Sequence, residues 1–208
     1  DYNNGFVLPT AINKTIRFSL KKNRQSKTCN IYSKNYDVGF SFELDKVSKS
    51  EQQWENYILG VIYEIQQLSD GLQGFDCTID SNIPIGSGIS SSAALECGLA
   101  FGLNELFGLG LSKLAIVELS QRAEHNYVGT KCGIMDQFAS VMSKKDHVIL
   151  LDCETLDYTY VPLNIEPYTL LLLNTNVTHD LSTGEYNIRR SQCESGVKVI
   201  QQRYPEVK

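Results

Sequence analysis

The chain has 208 residues, of which 42% are hydrophobic, so it can bury a sizeable core in one large domain or one and a half. Its formal net charge of −5 comes from interspersed acidic and basic residues, which argues against binding to nucleic acid or to a membrane surface. The sequence shows no run of about 18 apolar residues and nothing like a signal peptide at its start, so we expect a soluble, cytoplasmic protein.

Cysteine and histidine usage gives no sign of a disulfide framework or a zinc site. The six cysteines are scattered without a C-x-x-C pair, and several lie among apolar neighbours, as reduced core cysteines do. The three histidines share no metal-like spacing. Because the first residue is Asp1 and not Met, we interpret the sequence as a piece of a longer protein.

The first part of the chain is predicted to form strands and then a helix. Apolar and polar residues alternate over Ile12–Leu20, Asn30–Ser33 and Val38–Leu44, which indicates an antiparallel sheet. From Ser50, a plausible N-cap, apolar residues recur at three- and four-residue steps up to a predicted end at Gly71. This spacing is typical of an amphipathic helix.

A glycine- and serine-rich stretch, Ile83–Ala94, follows a strand predicted over Gly74–Asp80. Two glycines one residue apart permit a tight turn, and helix-forming residues begin directly after it. The first N–H groups of a helix can bind phosphate without a charged side chain. The stretch matches neither the dinucleotide fingerprint, the Walker loop nor the G-x-S-x-G elbow. It is either an ordinary turn with a serine cap or an anion-binding loop of another type.

Helices and strands alternate through the rest of the chain, which makes the predicted fold class α+β. The helix after the loop is predicted to run to Phe107, where Gly108 stops it, and the next helix to begin at Ser112 as N-cap. The remaining predicted elements, in order, are the end of that helix at Asn126, a turn over Gly129–Gly133, a short helix over Ile134–Met142, a hairpin of His147–Cys153 and Tyr158–Leu163, a buried strand over Tyr168–Asn174, a polar loop over Thr175–Gly184 and a helix over Glu185–Arg203.

Three oxygen-bearing side chains could serve magnesium-nucleotide chemistry, which needs hard oxygen ligands. Ser92 and Glu124 could bind a cation if the helix ending at Asn126 packs beside the loop, and Asp136 could face a hydroxyl nucleophile. Each residue also has an ordinary structural explanation. Ser92 could be a helix cap, Glu124 a solvated carboxylate, and Asp136 a charge favoured by the dipole at a helix start. These patterns alone leave the function open.

The segment Pro84–Ala94 resembles the second signature of the GHMP small-molecule kinases, although Ile89 stands where Leu is usual. Further segments are similar to the galactokinase family within that group: Asp1–Pro9, Gln121–His125, Cys132–Phe138, and Glu185–Tyr186 with Arg189–Arg190. The resemblance implies a GHMP-kinase N-terminal domain over residues 1–163, incomplete at its start, with a mixed sheet packed by helices as in the ribosomal protein S5 domain 2-like fold. Residues 164–208 would begin a truncated second α+β domain.

The resemblance also implies a reaction, the ATP-dependent phosphorylation of the C1 hydroxyl of galactose, with Mg²⁺ as cofactor. Asp136 would be the general base, and Ser92 and Glu124 would hold the metal. Trp54 would either border the adenine or anchor the core. The sugar contacts would be Asp1, Gly133, Asp136 and Tyr186, and the loop around the ATP phosphates would consist of Gly86, Ser87, Gly88, Ile89, Ser90, Ser91 and Ser92.

Two other functions are compatible with the same resemblance. One is an N-acetylgalactosamine kinase, and the other is a non-catalytic galactose and ATP sensor. Sensors that resemble this family can lose residues from the serine-rich part of the loop, and Ser91–Ala94 is whole here, which favours the enzyme. We expect a monomer, and we expect these 208 residues tested alone to show little or no kinase activity.

Overall fold

The structure, a computed structural model, describes residues 1, 3–25, 27–84, 86–174 and 184–207. Its main sheet contains four strands in the order β2-β5-β3-β4. β3 and β5 run parallel and the other neighbours run antiparallel, so the sheet is mixed. The strands are β2 (Ile16–Lys22), β3 (Thr28–Ser33), β4 (Val38–Glu43) and β5 (Phe75–Ser81).

The parallel pair departs from the antiparallel sheet expected for the first part of the chain. It arises because a helix connects β4 to β5 and returns the chain beside β3 in the same direction. β2 begins at Ile16 rather than Ile12, since its last pair with β5 is Ile16 with Ser81. The other predicted strands are confirmed within one or two residues.

A second sheet of three antiparallel strands has the order β1-β6-β7, where β1 is Phe6–Val7, β6 is His147–Asp152 and β7 is Tyr158–Pro162. β6 and β7 form the predicted hairpin, with Val148 opposite Val161. The start of the chain therefore lies beside the hairpin, which brings Asp1 near the elements that precede β6 in sequence.

The helices form close to where the sequence predicts them. Gly108, with a left-handed φ of +64°, ends the second helix, and the Ser112 hydroxyl accepts a hydrogen bond from Ala115 N at 3.1 Å to cap the third. The described helices are α1 (Gln53–Gln66), α2 (Ser91–Phe107), α3 (Lys113–Ala123), a π-helical turn (Glu124–Val128), α4 (Met135–Met142) and α5 (Glu185–Gln201).

The predicted limits of the first helix, Ser50 as N-cap and Gly71 as end, are wrong. Gln52 is the N-cap, because the Asn56 side chain bonds both the N–H and the carbonyl of Ser50, at 2.8 and 2.9 Å, and holds Ser50 outside the helix. The helix ends at Gln66, well before Gly71.

Helix α2 packs against β2, helices α1, α2 and α3 pack against one another, and their apolar side chains form the larger core with those of the main sheet. α2 lies close to β2, since a Cβ at Gly98 would overlap the ring of Phe18 and a Cβ at Gly102 would overlap Leu20. This packing fixes where the helix begins, and so where the glycine-serine loop lies. A smaller core of Val117, Phe138, Ile149 and Leu151 joins α3, α4 and the second sheet.

The buried strand predicted over Tyr168–Asn174 is wrong for the described structure. This segment forms no strand, and its large hydrophobic side chains are exposed, from 54% at Leu172 to 80% at Leu173. A strand needs a neighbour to pair its backbone groups, and no described strand lies beside this one. The polar loop predicted over Thr175–Gly184 falls, except for Gly184, outside the described residues. Among the described helices, none is both long and apolar enough to cross a membrane.

Candidate active site

The glycine-serine loop ends in a helix start that no serine side chain caps. Gly86, Gly88 and Ser90 all have left-handed φ values, of +67°, +69° and +62°. Ser90 is the N-cap residue of α2, but its side chain makes no capping hydrogen bond. Ser92 is the second residue of the helix, so it is not the cap that its sequence position allowed. The helix start therefore keeps its N–H groups available for an anion.

Glu124 stands where α3 changes into the π-helical turn. A π turn alters the direction of the side chains it carries, and such turns occur frequently at functional sites. Gly129, with φ of +90°, ends this turn. Glu124 is only 3% exposed, which excludes the solvated carboxylate that the sequence left open.

Ser92, Glu124 and Asp136 come together in the fold. Burial raises the pKa of Glu124 above its usual value, the negative charge of Asp136 raises it further, and the nearby Ser92 hydroxyl lowers it. Cys132 and Glu96 also lower the Glu124 pKa. Three distant parts of the sequence thus meet at one place, while the catalytic and metal-binding roles of these residues stay predictions.

Asp136 is the second residue of α4 and is half-buried in its first turn. This position agrees with the predicted location one or two residues inside a helix start. A favourable charge at the helix dipole and a functional carboxylate are both compatible with it. The neighbourhood of Glu124 distinguishes Asp136 from an ordinary acidic residue on a helix surface.

Asp1 and Gly133, predicted to bind the sugar, touch each other. A Cβ at position 133 would overlap the Asp1 carboxyl group, so the close approach requires glycine. The same carboxyl group accepts a hydrogen bond from Met135 N at 3.3 Å, at the start of α4. The first residue of the chain is therefore fixed beside the turn that leads to Asp136.

A cavity of about 500 Å³ opens beside Asp1 and Gly133, and its walls also carry the charged side chains of Arg122 and Arg190. Ser92, Glu124 and Asp136 are not among its lining residues, and neither is Tyr186. The structure thus places two predicted sugar-binding residues on this cavity. Tyr186 is half-buried at the start of α5.

The sequence interpretation missed Glu96 and Gln137, two fully buried polar side chains next to Glu124. Gln137 Nε2 donates a hydrogen bond to Glu124 Oε2 at 2.9 Å. Burial raises the pKa of Glu96 well above its usual value, and the charge of Glu124 adds to this effect, so folding favours the protonated form of Glu96. The sequence did carry a signal for this buried carboxylate, because Glu96 is a charged residue inside the apolar run from Leu95 to Phe101.

Trp54 packs as a core residue. Its ring lies edge-on to Phe40, with centroids 5.2 Å apart, and is stacked with Tyr36 at 6.5 Å. Trp54 also packs against the larger core. These contacts support the core-anchor interpretation, and an adenine contact stays a prediction.

The donor groups at this site suit Mg²⁺ bound together with a nucleotide. The Ser92 hydroxyl and the Glu124 carboxylate are hard oxygen ligands, and Mg²⁺ usually takes one or two protein ligands with phosphate and water completing its shell. Among the described residues, no three His, Cys, Asp or Glu side chains cluster to hold a metal alone. Glu124 is also a buried carboxylate, only 3% exposed.

Comparison with known proteins connects this geometry to a family. Residues 56–144 match the GHMP kinases N terminal domain. The chain is 48% identical over 200 residues to galactokinase of Thermosipho africanus, with 96% of this chain and 55% of the relative covered. It is 42% identical over 203 residues to galactokinase of Thermotoga maritima, with 98% of this chain and 56% of the relative covered. The chain thus spans about half the length of the relatives that it matches.

Solved structures agree with the sequence comparison. Lactococcus lactis galactokinase complexed with galactose matches with a TM-score of 0.92 at 34% identity, covering 98% of this chain and 53% of that one. Methanococcus jannaschii mevalonate kinase, at 18% identity and a TM-score of 0.61 over 76% of this chain and 49% of its own, shares the fold alone. Residues 56–144 therefore match the N-terminal domain of the GHMP kinases, and the chain is similar in sequence and fold to galactokinases.

Proposed function

We propose that this chain is part of a galactokinase, which transfers the γ-phosphoryl group of ATP to the C1 hydroxyl of galactose and releases galactose 1-phosphate and ADP. The observation that carries the proposal is the meeting of the uncapped α2 start with Glu124 and Asp136, in a chain whose relatives are named galactokinases.

The loop from Gly86 to Ser92 is proposed to bind the ATP phosphates. The left-handed residues turn the backbone tightly before α2, and the first N–H groups of that helix have no capping side chain. The helix dipole favours negative charge at this end. The loop therefore offers hydrogen bonds and a favourable field without a basic side chain.

Ser92 and Glu124 would hold Mg²⁺, which when bound offsets the negative charge of the phosphates. Gln137 keeps the Glu124 carboxylate in place through the 2.9 Å hydrogen bond. Burial excludes water from this carboxylate, so its attraction to a cation is weakly screened.

Asp136 is proposed to orient the C1 hydroxyl and to accept its proton as the phosphoryl group is transferred. Phosphoryl transfer needs little covalent help from the protein, so positioning and charge stabilisation supply most of the catalysis. Asp1, Gly133 and Tyr186 are proposed to contact the sugar. Of these, Asp1 and Gly133 already form one wall of the cavity.

A cytoplasmic location and a monomeric state complete the proposal. ATP is a cytoplasmic phosphate donor, and the six cysteines are all unpaired in the structure. Fractionation of cells and size-exclusion chromatography of the purified protein test these two points.

A coupled ADP-release assay on the natural protein that carries this chain tests the reaction. We expect ADP release with galactose and much less with glucose or N-acetylgalactosamine. Faster turnover of N-acetylgalactosamine would assign the protein to that substrate instead. Galactose binding without any sugar-dependent ADP release would indicate a sensor.

A further inference from the structure

The carbonyl group of Cys132, directly before Gly133, is held by side chains from three helical segments. His125 Nε2 lies 2.8 Å from this oxygen, Arg190 Nη1 donates to it at 3.3 Å, and Gln121 Nε2 donates at 3.4 Å. A carbonyl oxygen has two lone pairs, so three donors saturate it. The peptide between Cys132 and Gly133 is therefore fixed in its orientation.

That orientation decides where the Gly133 N–H points. The peptide bond is trans, so its N–H is directed opposite to its carbonyl. The Gly133 N–H thus points away from His125 and Arg190. Because the Asp1 carboxyl group packs against Gly133, a rotation of this peptide would disturb two of the residues proposed to bind sugar.

Helix α5 reaches the same turn through two side chains. The Asn187 amide accepts a hydrogen bond from Lys131 N and donates one to the Gly129 carbonyl, both at 2.8 Å. Arg190 Nη1 donates to the Lys131 carbonyl at 2.8 Å. Tyr186 directly precedes Asn187, so these bonds also set the position of Tyr186 relative to the turn.

The arginine is itself oriented for this contact. Arg190 Nε bonds Glu194 one turn further along α5 at 3.0 Å, which leaves Nη1 directed at the two carbonyls. The neighbouring Arg189 makes a different contact, since its Nη1 donates to Gln192 within α5. The two adjacent arginines therefore offer a matched pair for comparison.

We propose that Arg190, assisted by Asn187, is a positioning residue for sugar binding. It fixes the peptide before Gly133 and holds the start of α5, with Tyr186, against the turn that carries the sugar-binding residues. The inference rests on the proposed function, because the sugar is the ligand whose contacts are being positioned.

Arg190→Met in the natural protein tests this role, since it keeps most of the side-chain length and removes every donor. We expect the galactose KM to rise about tenfold, the factor given by roughly 1.4 kcal/mol. The ATP KM should stay within about twofold, because Arg190 bonds the carbonyls of Lys131 and Cys132 and the Glu194 side chain, and not the loop proposed to bind the ATP phosphates. Arg190→Lys should recover part of the loss, and Arg189→Met should keep the galactose KM of the parent.

Two further measurements keep the outcome decisive. If Arg190→Met does not fold, as judged by thermal unfolding, Asn187→Asp replaces it, since the aspartate keeps the bond from Lys131 N and loses the one to Gly129. An unchanged galactose KM in the folded variant, or equal rises in both KM values, would overturn the inference.

If the parent releases no ADP with galactose, the proposed function fails, and calorimetric titration with galactose then tests Arg190 separately. An unchanged Kd for galactose in Arg190→Met would count against the positioning role of Arg190.

Discussion

The starts of α2 and α3 differ although serine is the N-cap residue of both. Ser112 has an extended backbone, and its hydroxyl accepts a hydrogen bond from Ala115 N. Ser90 has a left-handed backbone, and its hydroxyl caps nothing. The first arrangement satisfies a helix N–H from within the chain, while the second leaves the N–H groups for another partner.

This difference separates a structural helix start from one suited to a ligand. A side-chain cap stabilises the folded protein whether or not a ligand is present. An uncapped start forgoes that stabilisation and leaves its N–H groups to bind an anion. Loss of the Ser92 hydroxyl at the α2 start should therefore lower activity, and loss of the Ser112 hydroxyl at the α3 start should lower stability.

Asp136→Asn should have the largest effect. Phosphate bound at the α2 start reacts only if the sugar hydroxyl is oriented and loses its proton, which is the role proposed for Asp136. We expect kcat to fall by roughly 10²- to 10⁴-fold, the usual range for general-base assistance, while ATP binding persists. Steady-state ADP release and nucleotide titration measure the two properties. A turnover within about threefold of the parent would show that Asp136 is not the base.

Ser92→Ala should come next and should act through the metal. Removing the hydroxyl should raise the Mg²⁺ concentration for half-maximal activity by at least about tenfold, since even outer partners of metal ligands often contribute that much. Ser91→Ala is the matched control, because Ser91 is exposed one residue away. Equal Mg²⁺ requirements for the two variants would contradict the role of Ser92.

Ser112→Ala should affect stability alone. Loss of the 3.1 Å cap should lower the free energy of unfolding by about 0.5–2 kcal/mol, with kcat and both KM values unchanged. Urea unfolding monitored by circular dichroism measures this loss. A change in kinetics without a change in stability would mean that the α3 start, too, serves the ligand.

Ser90→Gly should have the smallest effect, an increase in stability of about 0.5–1 kcal/mol. Glycine adopts a φ of +62° without the steric cost paid by serine, although it loses more backbone entropy on folding. The same urea experiment applies. A loss of stability would indicate that the Ser90 side chain makes a compensating interaction.

Local patterns predicted the helix and strand positions where the deciding contacts lie within a few residues. Gly108 and Ser112 marked a helix end and a helix start because their conformational and capping preferences are local. The start of α1 was not predictable in this way. Asn56 bonds back to Ser50, and no sequence rule for N-caps includes that contact.

The candidate site was predictable only in part, for the same reason. Ser92, Glu124 and Asp136 were identified from residue type and from resemblance to a family, and the fold brings them together. Glu96 was missed because its burial beside Glu124 depends on how α2 packs against the helix carrying Glu124. Arg190 was missed as a positioning residue because its partners, the carbonyls of Lys131 and Cys132, lie about sixty residues earlier.

The exposed leucines between Tyr168 and Asn174 affect how this protein should be handled. Leu170, Leu171, Leu172 and Leu173 are 54% to 80% exposed and form a short apolar run without charge. Such runs favour β-type self-association between copies when nothing covers them. Production of these 208 residues alone is therefore expected to yield aggregates at high concentration, and aspartate at Leu171 should improve recovery of dispersed protein.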